Sequence, residues 1–323
     1  MTPDLLGPPF EAQTLELPAD DEGQVVATLV RHRGPDTSRR AVLYVHGYTD
    51  YFFQRELAEF WVEAGYHFYA LDLRKCGRSL RPHQTQNMCA DLHEYFAELD
   101  MALDIIAEDG AEALVLNGHS TGGLLLSLYA HERRPKRLQA VVLNSPFFEL
   151  AGPWFTREVL TEAVSLLANI KPYALVPIRA SSAYGKSLHA DHSGEWPYDL
   201  AWKPLKGVPV RAGWLAAVHR GHEQVQAGLD ISAPVLVLHS ARSVYPDGGR
   251  AQVPHADAIL DVRDMRRFGV GLGPSVTLAA IDGGLHDLVL SAPAVRAEVY
   301  AAMSRWLGAY GPRPLERSLS GTG

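Results

Sequence analysis

The chain has 323 residues, with 47% hydrophobic and 21% charged residues, which is the composition of a globular protein with a large core. Its formal net charge of -7 excludes the basic surface typical of nucleic-acid binding, and no apolar run approaches the length of a membrane span. The first residues lack a basic segment followed by an apolar one, so we expect no signal peptide and a cytoplasmic protein. Two cysteines, Cys76 and Cys89, argue against a disulfide framework, and no Cys/His cluster has zinc-site spacing.

Apolar runs and helical periodicity alternate along most of the chain. The first 23 residues read as an arm with an early strand, and apolar runs then predict strands over Val25–Arg33, Ala41–His46, His67–Leu73, Ala113–Leu116, Gln139–Asn144, Pro234–His239 and Ser275–Ile281. Apolar residues at helical spacing predict helices over Phe52–Ala64, Cys89–Ala107, Leu124–Arg133, Thr156–Ala168 and Ala292–Tyr310. This alternation predicts an α/β fold with a mostly parallel sheet flanked by helices, and a ligand crevice at the carboxyl ends of the strands.

The strand pattern stops for roughly eighty residues after Asn144. So long a stretch needs elements of its own, so we expect a helical cap over residues 146–230, inserted into a core domain formed by residues 1–145 and 231–323. The stretch is rich in aromatic residues, and Phe147, Phe148 and Trp154 follow the strand end closely enough to contact a ligand. The alternative is that these aromatic residues only pack the cap on the core.

A G-x-S-x-G pattern, Gly118-His-Ser-Thr-Gly122, joins the strand that starts at Ala113 to the helix that follows. In this strand–turn–helix context Ser120 occupies a sharp turn that exposes its hydroxyl, so it is a candidate nucleophile. The glycines leave room for the turn, and the N–H of Thr121 points to where an oxyanion would form. The alternative is a turn of small residues with an incidental serine.

A serine nucleophile needs a base and an acid that orients the base. His286 lies in the loop after the last predicted strand, where Gly283 and Gly284 allow the chain to fold back towards the serine; the alternative is a histidine in a surface loop. The acid should follow the strand that ends at His239, but the nearest slot holds Ser243, which cannot ionise. The next carboxylates along the chain are Asp247, Asp257 and Asp261.

Together these residues, with the strand-end pair His46-Gly47, resemble the alpha/beta-hydrolase superfamily, and within it the monoacylglycerol lipase/lysophospholipase-like serine hydrolases. The resemblance spans about residues 25 to 310. Where that family has Leu-His-Gly-x-x-Asp, this chain has Ser240 and Ser243; reading residues 240–255 as an inserted excursion puts Asp257 on the acid. Asp261 is the alternative, and capping of the next helix is an alternative role for either aspartate.

The resemblance implies a Ser120–His286–Asp257 triad, with the backbone N–H groups of Tyr48 and Thr121 as oxyanion donors. It implies hydrolysis of lipophilic carboxylic esters without a metal or cofactor, on a small-molecule substrate such as a monoacylglycerol or lysophospholipid. Two alternatives stay open at this point. One is a different hydrolase on the same fold, acting on C–C bonds or amides or as a perhydrolase, and the other is a ligand-binding relative without turnover.

Overall fold

The computed structural model describes residues 1–151, 154–178, 181–244 and 255–312, with residues 154–160 described by their backbone alone. Within these residues a nine-stranded sheet has the order β1-β2-β3-β5-β4-β6-β7-β8-β9. Its strands are β1 (Thr2–Pro3), β2 (Glu11–Asp20), β3 (Gly23–His32), β4 (Arg40–Val45), β5 (His67–Asp72), β6 (Ala113–His119), β7 (Leu138–Asn144), β8 (Val235–Ser240) and β9 (Val276–Ile281).

The first three strands pair antiparallel, and the pairs β4–β5, β4–β6, β6–β7, β7–β8 and β8–β9 are parallel. The parallel strands β5 and β6 are buried along their whole length, which explains why they read as continuous apolar runs rather than as an alternating pattern. The predicted mostly parallel sheet is confirmed. The carboxyl ends of β4, β6, β7, β8 and β9 meet at one edge of it.

The helices described are α1 (Arg55–Glu63), α2 (Phe96–Glu108), α3 (Thr121–Arg133), α4 (Trp154–Ile170), α5 (Ala183–Leu188), α6 (Ala212–Ala227), α7 (Val262–Gly269) and α8 (Pro293–Tyr310). Buried residues of α1 and α8 share one apolar cluster, which includes Trp61 and Met303. Those of α2, α3 and α6 share a second cluster, which includes Leu99 and Leu125. The sheet therefore lies between two helical layers. No helix among the described residues is long and apolar enough to cross a membrane.

Several of the predicted elements differ in their extent, among them two helices and the strand before Ser120. The helix expected from Phe52 begins at Arg55, because the Phe52 N–H donates to the Asp72 carboxylate 2.8 Å away instead of opening a helix. The helix expected from Cys89 begins at Phe96, preceded by a 3₁₀ turn over Leu92–Tyr95 that Asp91 caps. The strand expected to end at Leu116 continues to His119, directly before Ser120.

The β7–β8 connection runs from residue 145 to residue 234 and contains α4, α5 and α6, all of them within residues 146–230. The helix predicted over Thr156–Ala168 lies within α4, whereas α6 was not predicted. This connection contacts the carboxyl edge of the sheet at several points. Among them, the Trp196 indole N–H donates to the Leu290 carbonyl at 3.0 Å, and the Lys203 ammonium lies 2.6 Å from an oxygen of Asp50.

Candidate active site

Ser120 lies in a strained turn between β6 and α3. Its backbone has φ 51° and ψ −116°, a combination that residues with a side chain rarely adopt. A Cβ on Gly118 would lie 2.7 Å from the Gly122 carbonyl oxygen, and one on Gly122 would lie 2.4 Å from the His46 carbonyl oxygen. Both glycines are therefore required by close backbone approach, for the reason that the G-x-S-x-G pattern suggests.

The loop after β9 brings His286 to Ser120. Gly283 has φ +70°, a conformation that favours glycine, and lets the chain turn back after Ile281. The Nε2 atom of His286 lies 3.0 Å from the Ser120 Oγ, and its Nδ1 atom lies 2.8 Å from Asp257 Oδ2. A proton on Nδ1 satisfies both contacts, because Nδ1–H then donates to the carboxylate and Nε2 accepts from the serine hydroxyl.

Asp257 reaches His286 because its backbone pairs with that of Ser243, just beyond the end of β8. Ser243 and Asp257 form a parallel bridge, in which the Asp257 N–H donates to the Arg242 carbonyl at 3.0 Å and the Val244 N–H donates to the Asp257 carbonyl at 2.8 Å. Asp257 is thus paired with Ser243, the residue at the position where the resembled family has its acid. Of the other two candidates, Asp247 lies outside the described residues.

Both carboxylate oxygens of Asp257 have partners. Oδ2 faces His286, and Oδ1 accepts hydrogen bonds from the N–H groups of Ile259 and Leu260, each at 2.8 Å. Asp261, four residues on, has a different role: it caps α7 by accepting from the Arg263 N–H at 2.9 Å. The structure therefore brings Asp257 to the histidine and leaves Asp261 at the helix terminus.

The two backbone groups expected to hold an oxyanion flank Ser120. Thr121 is the first residue of α3, where an N–H has no partner within the helix. Gly47, which precedes Tyr48, lies so close that a Cβ on it would be 3.0 Å from the Ser120 Cβ. The loop after β4 and the start of α3 therefore converge on the serine.

Ser120 and His286 line a cavity of about 490 Å³. Apolar side chains cover much of its wall, among them Phe147, Leu150, Val210, Trp214 and Leu215. Phe148 does not line it; its side chain is 1% exposed and packs in the core, because successive residues after β7 point in different directions. Phe148, which the sequence suggested as a ligand contact, therefore lies outside the site. The side chain of Trp154 lies outside the described residues.

Asp50 and His119 line the cavity and, together with Asp287 behind them, form a cluster of buried charges that the sequence did not reveal. Asp50, His119 and Asp287 each place one potential metal-ligating atom within 4.8 Å of the others. The ammonium of Lys203 already lies 2.6 Å from Asp50 Oδ1, so a positive charge balances that carboxylate without a metal ion. Asp287, the residue after His286, is fully buried.

The charges in this cluster influence one another. Burial opposes ionisation of Asp50, but Lys203 and His119 outweigh it and hold the pKa of Asp50 well below its usual range. Burial likewise favours neutral His119, but the carboxylates of Asp287 and Asp50 outweigh it and raise the His119 pKa. The His119 ring centroid lies 5.1 Å from that of His286, so this titratable ring is adjacent to the candidate base.

Two side-chain amides, those of Asn144 and Gln54, fix the loop that carries His286. The Asn144 side chain at the end of β7 donates to Asp287 Oδ1 at 2.7 Å and accepts from the Leu288 N–H at 3.2 Å. Gln54 donates to Asp287 Oδ2 at 3.2 Å. Sequence reasoning missed both amides, because nothing in their local pattern separates them from ordinary polar residues at strand and helix ends.

The sheet order, the strained serine turn and the two helical layers define an alpha/beta hydrolase. The chain belongs to the family Hydrolase_4, described as Serine aminopeptidase, S33, whose profile matches residues 36–289. It is therefore a hydrolase by family. No curated protein sequence is significantly similar to the chain.

Among solved structures, the chain is similar to a soluble variant of monoglyceride lipase from Saccharomyces cerevisiae in complex with a substrate analog, at a TM-score of 0.68 and 17% identity over 97% of each chain. It is also similar to Paleococcus ferrophilus monoacylglycerol lipase, at a TM-score of 0.65 and 22% identity over 87% of this chain and 98% of the other. A third similar structure is Est1E from Butyrivibrio proteoclasticus with bound ferulic acid, at a TM-score of 0.56 and 16% identity over 92% and 98%. At these identities the similarity concerns the fold.

Proposed function

We propose that this protein is a serine hydrolase that cleaves carboxylic esters of lipophilic substrates, in the manner of carboxylesterases and monoacylglycerol lipases. The proposal rests on two hydrogen-bond contacts of His286, one of 2.8 Å between Nδ1 and Asp257 Oδ2 and one of 3.0 Å between Nε2 and Ser120 Oγ. Both Ser120 and His286 line a largely apolar cavity. Nucleophile, base and orienting acid are thus within hydrogen-bond reach.

In the proposed mechanism His286 Nε2 takes the proton of Ser120 as Oγ attacks the ester carbonyl. Asp257 keeps the Nδ1 proton in place and stabilises the imidazolium that forms. The N–H groups of Tyr48 and Thr121 donate to the developing oxyanion. The protonated His286 then delivers its proton to the departing alcohol, and it later activates the water that hydrolyses the acyl-enzyme.

We further propose that residues 146–230 form a cap domain over a core of residues 1–145 and 231–323. Support comes from the cavity wall, because Phe147, Tyr184 and Trp214 of the β7–β8 connection line the same cavity as Ser120 and His286 of the core. The apolar lining suits an acyl chain or a lipophilic alcohol. Monoacylglycerols and lysophospholipids are candidate substrates on this basis.

The family description raises aminopeptidase activity as the second candidate. Such an enzyme needs an anionic group to receive the substrate's terminal ammonium. Among the described residues that line the cavity, Asp50 is the only carboxylate, and the Lys203 ammonium already neutralises it. A second lysine, Lys206, also lines the cavity. This charge distribution favours esters over peptides with a free N-terminus.

A panel of matched substrates tests the proposal. We expect turnover of 4-nitrophenyl esters of graded chain length, with much slower turnover of the corresponding 4-nitroanilides and of aminoacyl anilides. Ser120→Ala should abolish ester turnover, because loss of a triad nucleophile typically costs about 10⁶-fold in kcat. Faster cleavage of aminoacyl anilides than of esters would instead favour the aminopeptidase, and unchanged ester turnover by Ser120→Ala would refute the assigned nucleophile.

A further inference from the structure

The loop after β4, which carries Tyr48 and Thr49, is attached to the β7–β8 connection through side chains. The Tyr48 ring packs on the Trp214 indole with centroids 3.9 Å apart. The Tyr48 hydroxyl donates to the Val208 carbonyl at 3.3 Å, and the Thr49 hydroxyl accepts from the Val208 N–H at 3.0 Å. Two consecutive residues of the loop therefore bond to the same residue of the connection.

This loop does not hold its shape by intrinsic preference. Thr49 has φ +53°, in the left-handed region, where a β-branched residue is disfavoured. Its N–H donates to the Asn87 side-chain oxygen at 3.2 Å, so a second segment of the core also restrains it. A strained conformation persists only where its surroundings hold it. The bonds to Val208 are part of that restraint.

We infer that Thr49, Val208 and Trp214 are positioning residues, which hold the Tyr48 N–H where the oxyanion forms. The inference rests on the proposed function, in which this N–H is the second oxyanion donor. Gly47 lies against Ser120, so a shift of the loop moves the donor relative to the attacked carbonyl. The β7–β8 connection thus shapes the catalytic machinery as well as the substrate cavity, and its packing on the core is needed for turnover even of the smallest esters.

The positioning role predicts a specific kinetic signature. A misplacement of about 1 Å can cost about 100-fold in rate, and loss of a whole oxyanion donor costs about 10²–10³-fold. We therefore expect Thr49→Val and Tyr48→Phe each to lower kcat for 4-nitrophenyl acetate by about 10- to 100-fold, with little change in KM. The first removes the acceptor for the Val208 N–H, and the second removes the hydroxyl but keeps the ring on Trp214.

Two matched controls separate positioning from general loosening of the connection. Thr49→Ser keeps the hydroxyl and should retain wild-type kcat. Tyr173→Phe removes another hydroxyl bond between the connection and the core, the 2.7 Å contact with Asp21, and should leave turnover unchanged because that hydroxyl bonds to Asp21 and not to the oxyanion loop.

The affinities of two matched ketone inhibitors provide the decisive measurement. An alkyl trifluoromethyl ketone forms a tetrahedral oxyanion with a serine nucleophile, whereas the methyl ketone of the same chain length binds as a ground-state analogue. In Thr49→Val and Tyr48→Phe, affinity for the trifluoromethyl ketone should fall in parallel with kcat/KM, while affinity for the methyl ketone is retained. Equal losses for both ketones, or a change in KM alone, would overturn the inference and indicate a packing role.

The same experiment distinguishes failure of the inference from failure of the proposed function. If the wild type binds the trifluoromethyl ketone more tightly than the methyl ketone and the two variants bind it just as tightly, the positioning role alone is refuted. If the wild type shows no preference between the ketones and Ser120→Ala does not alter binding of either, the serine hydrolase proposal is refuted and the positioning role with it.

Discussion

Replacement of Asp257 by asparagine is the change whose outcome the structure specifies most closely. Oδ1 of Asp257 accepts from two backbone N–H groups, those of Ile259 and Leu260. In Asp257→Asn the amide oxygen must take that position, because an NH₂ group there would face two donors. The amide NH₂ is then directed at Nδ1 of His286, 2.8 Å from the present oxygen.

The consequence is a reversed histidine tautomer. An NH₂ donor facing Nδ1 requires that nitrogen to accept, so the proton moves to Nε2 and points at Ser120, where it cannot accept the serine proton. Loss of the acid through the wrong tautomer costs about 10⁴-fold in kcat. At about 1.4 kcal/mol per tenfold, this equals about 5 kcal/mol of transition-state stabilisation. The fold should be retained, since the two backbone bonds to the side chain remain.

The matched control is Asp261→Asn, the same substitution four residues on. Asparagine caps a helix about as well as aspartate, and the Arg263 partner of Asp261 is exposed, so little stability should be lost. The assay is kcat for 4-nitrophenyl butyrate, with thermal melting to show that both variants fold. An inactive Asp261→Asn beside an active Asp257→Asn would refute the reasoning and the alignment that places Asp257 on the acid.

Further predictions concern the cavity wall and the buried charges. Phe147→Ala should raise KM for long-chain esters more than for acetate esters. Phe148→Ala should instead lower the free energy of unfolding by about 3–5 kcal/mol, with little change in chain-length preference. Equal kinetic effects in the two variants would contradict this assignment. Lys203→Met leaves the Asp50 carboxylate buried without its partner and should lower the free energy of unfolding, measured in urea, by about 3–5 kcal/mol. Adding Asp50→Asn should restore part of that loss. An unchanged free energy of unfolding in Lys203→Met would contradict the pairing. The folded-state pKa of His119 is raised, so its contribution to stability is full below its unfolded pKa of about 6.5 and is lost as pH rises through the folded value. The stability advantage of wild type over His119→Asn should therefore be larger at about pH 6 than at about pH 8. A difference that does not change with pH would show that His119 does not gain a proton in this range.

Local signals were enough to predict the fold. Buried parallel strands read as apolar runs and amphipathic helices as a 3.6-residue period, so the alternation along the chain indicated the sheet and its two helical layers. The Ser120 turn was recognisable because close backbone approach requires glycine on both sides of it. Helix α6 was missed, because ten of its sixteen residues are buried and its pattern shows no clear polar face.

Features that depend on long-range pairing were not accessible in the same way. The position of Asp257 follows from its bridge to Ser243, fourteen positions earlier, and only the family resemblance suggested that Asp257 is the acid. Lys203 and Asp50 lie 153 positions apart, so no local pattern predicts their ion pair. Phe147 and Phe148 are adjacent and chemically identical, and only the path of the backbone after β7 decides which one faces the cavity.

The central claim is that Ser120 is a nucleophile activated by His286. The most direct test is covalent labelling with a fluorophosphonate, followed by intact-mass measurement and peptide mapping. The proposed function predicts one label per chain, attached to Ser120, with no labelling of Ser120→Ala and much slower labelling of His286→Ala. Absence of labelling in the folded wild type, or a label that remains in Ser120→Ala, would contradict it.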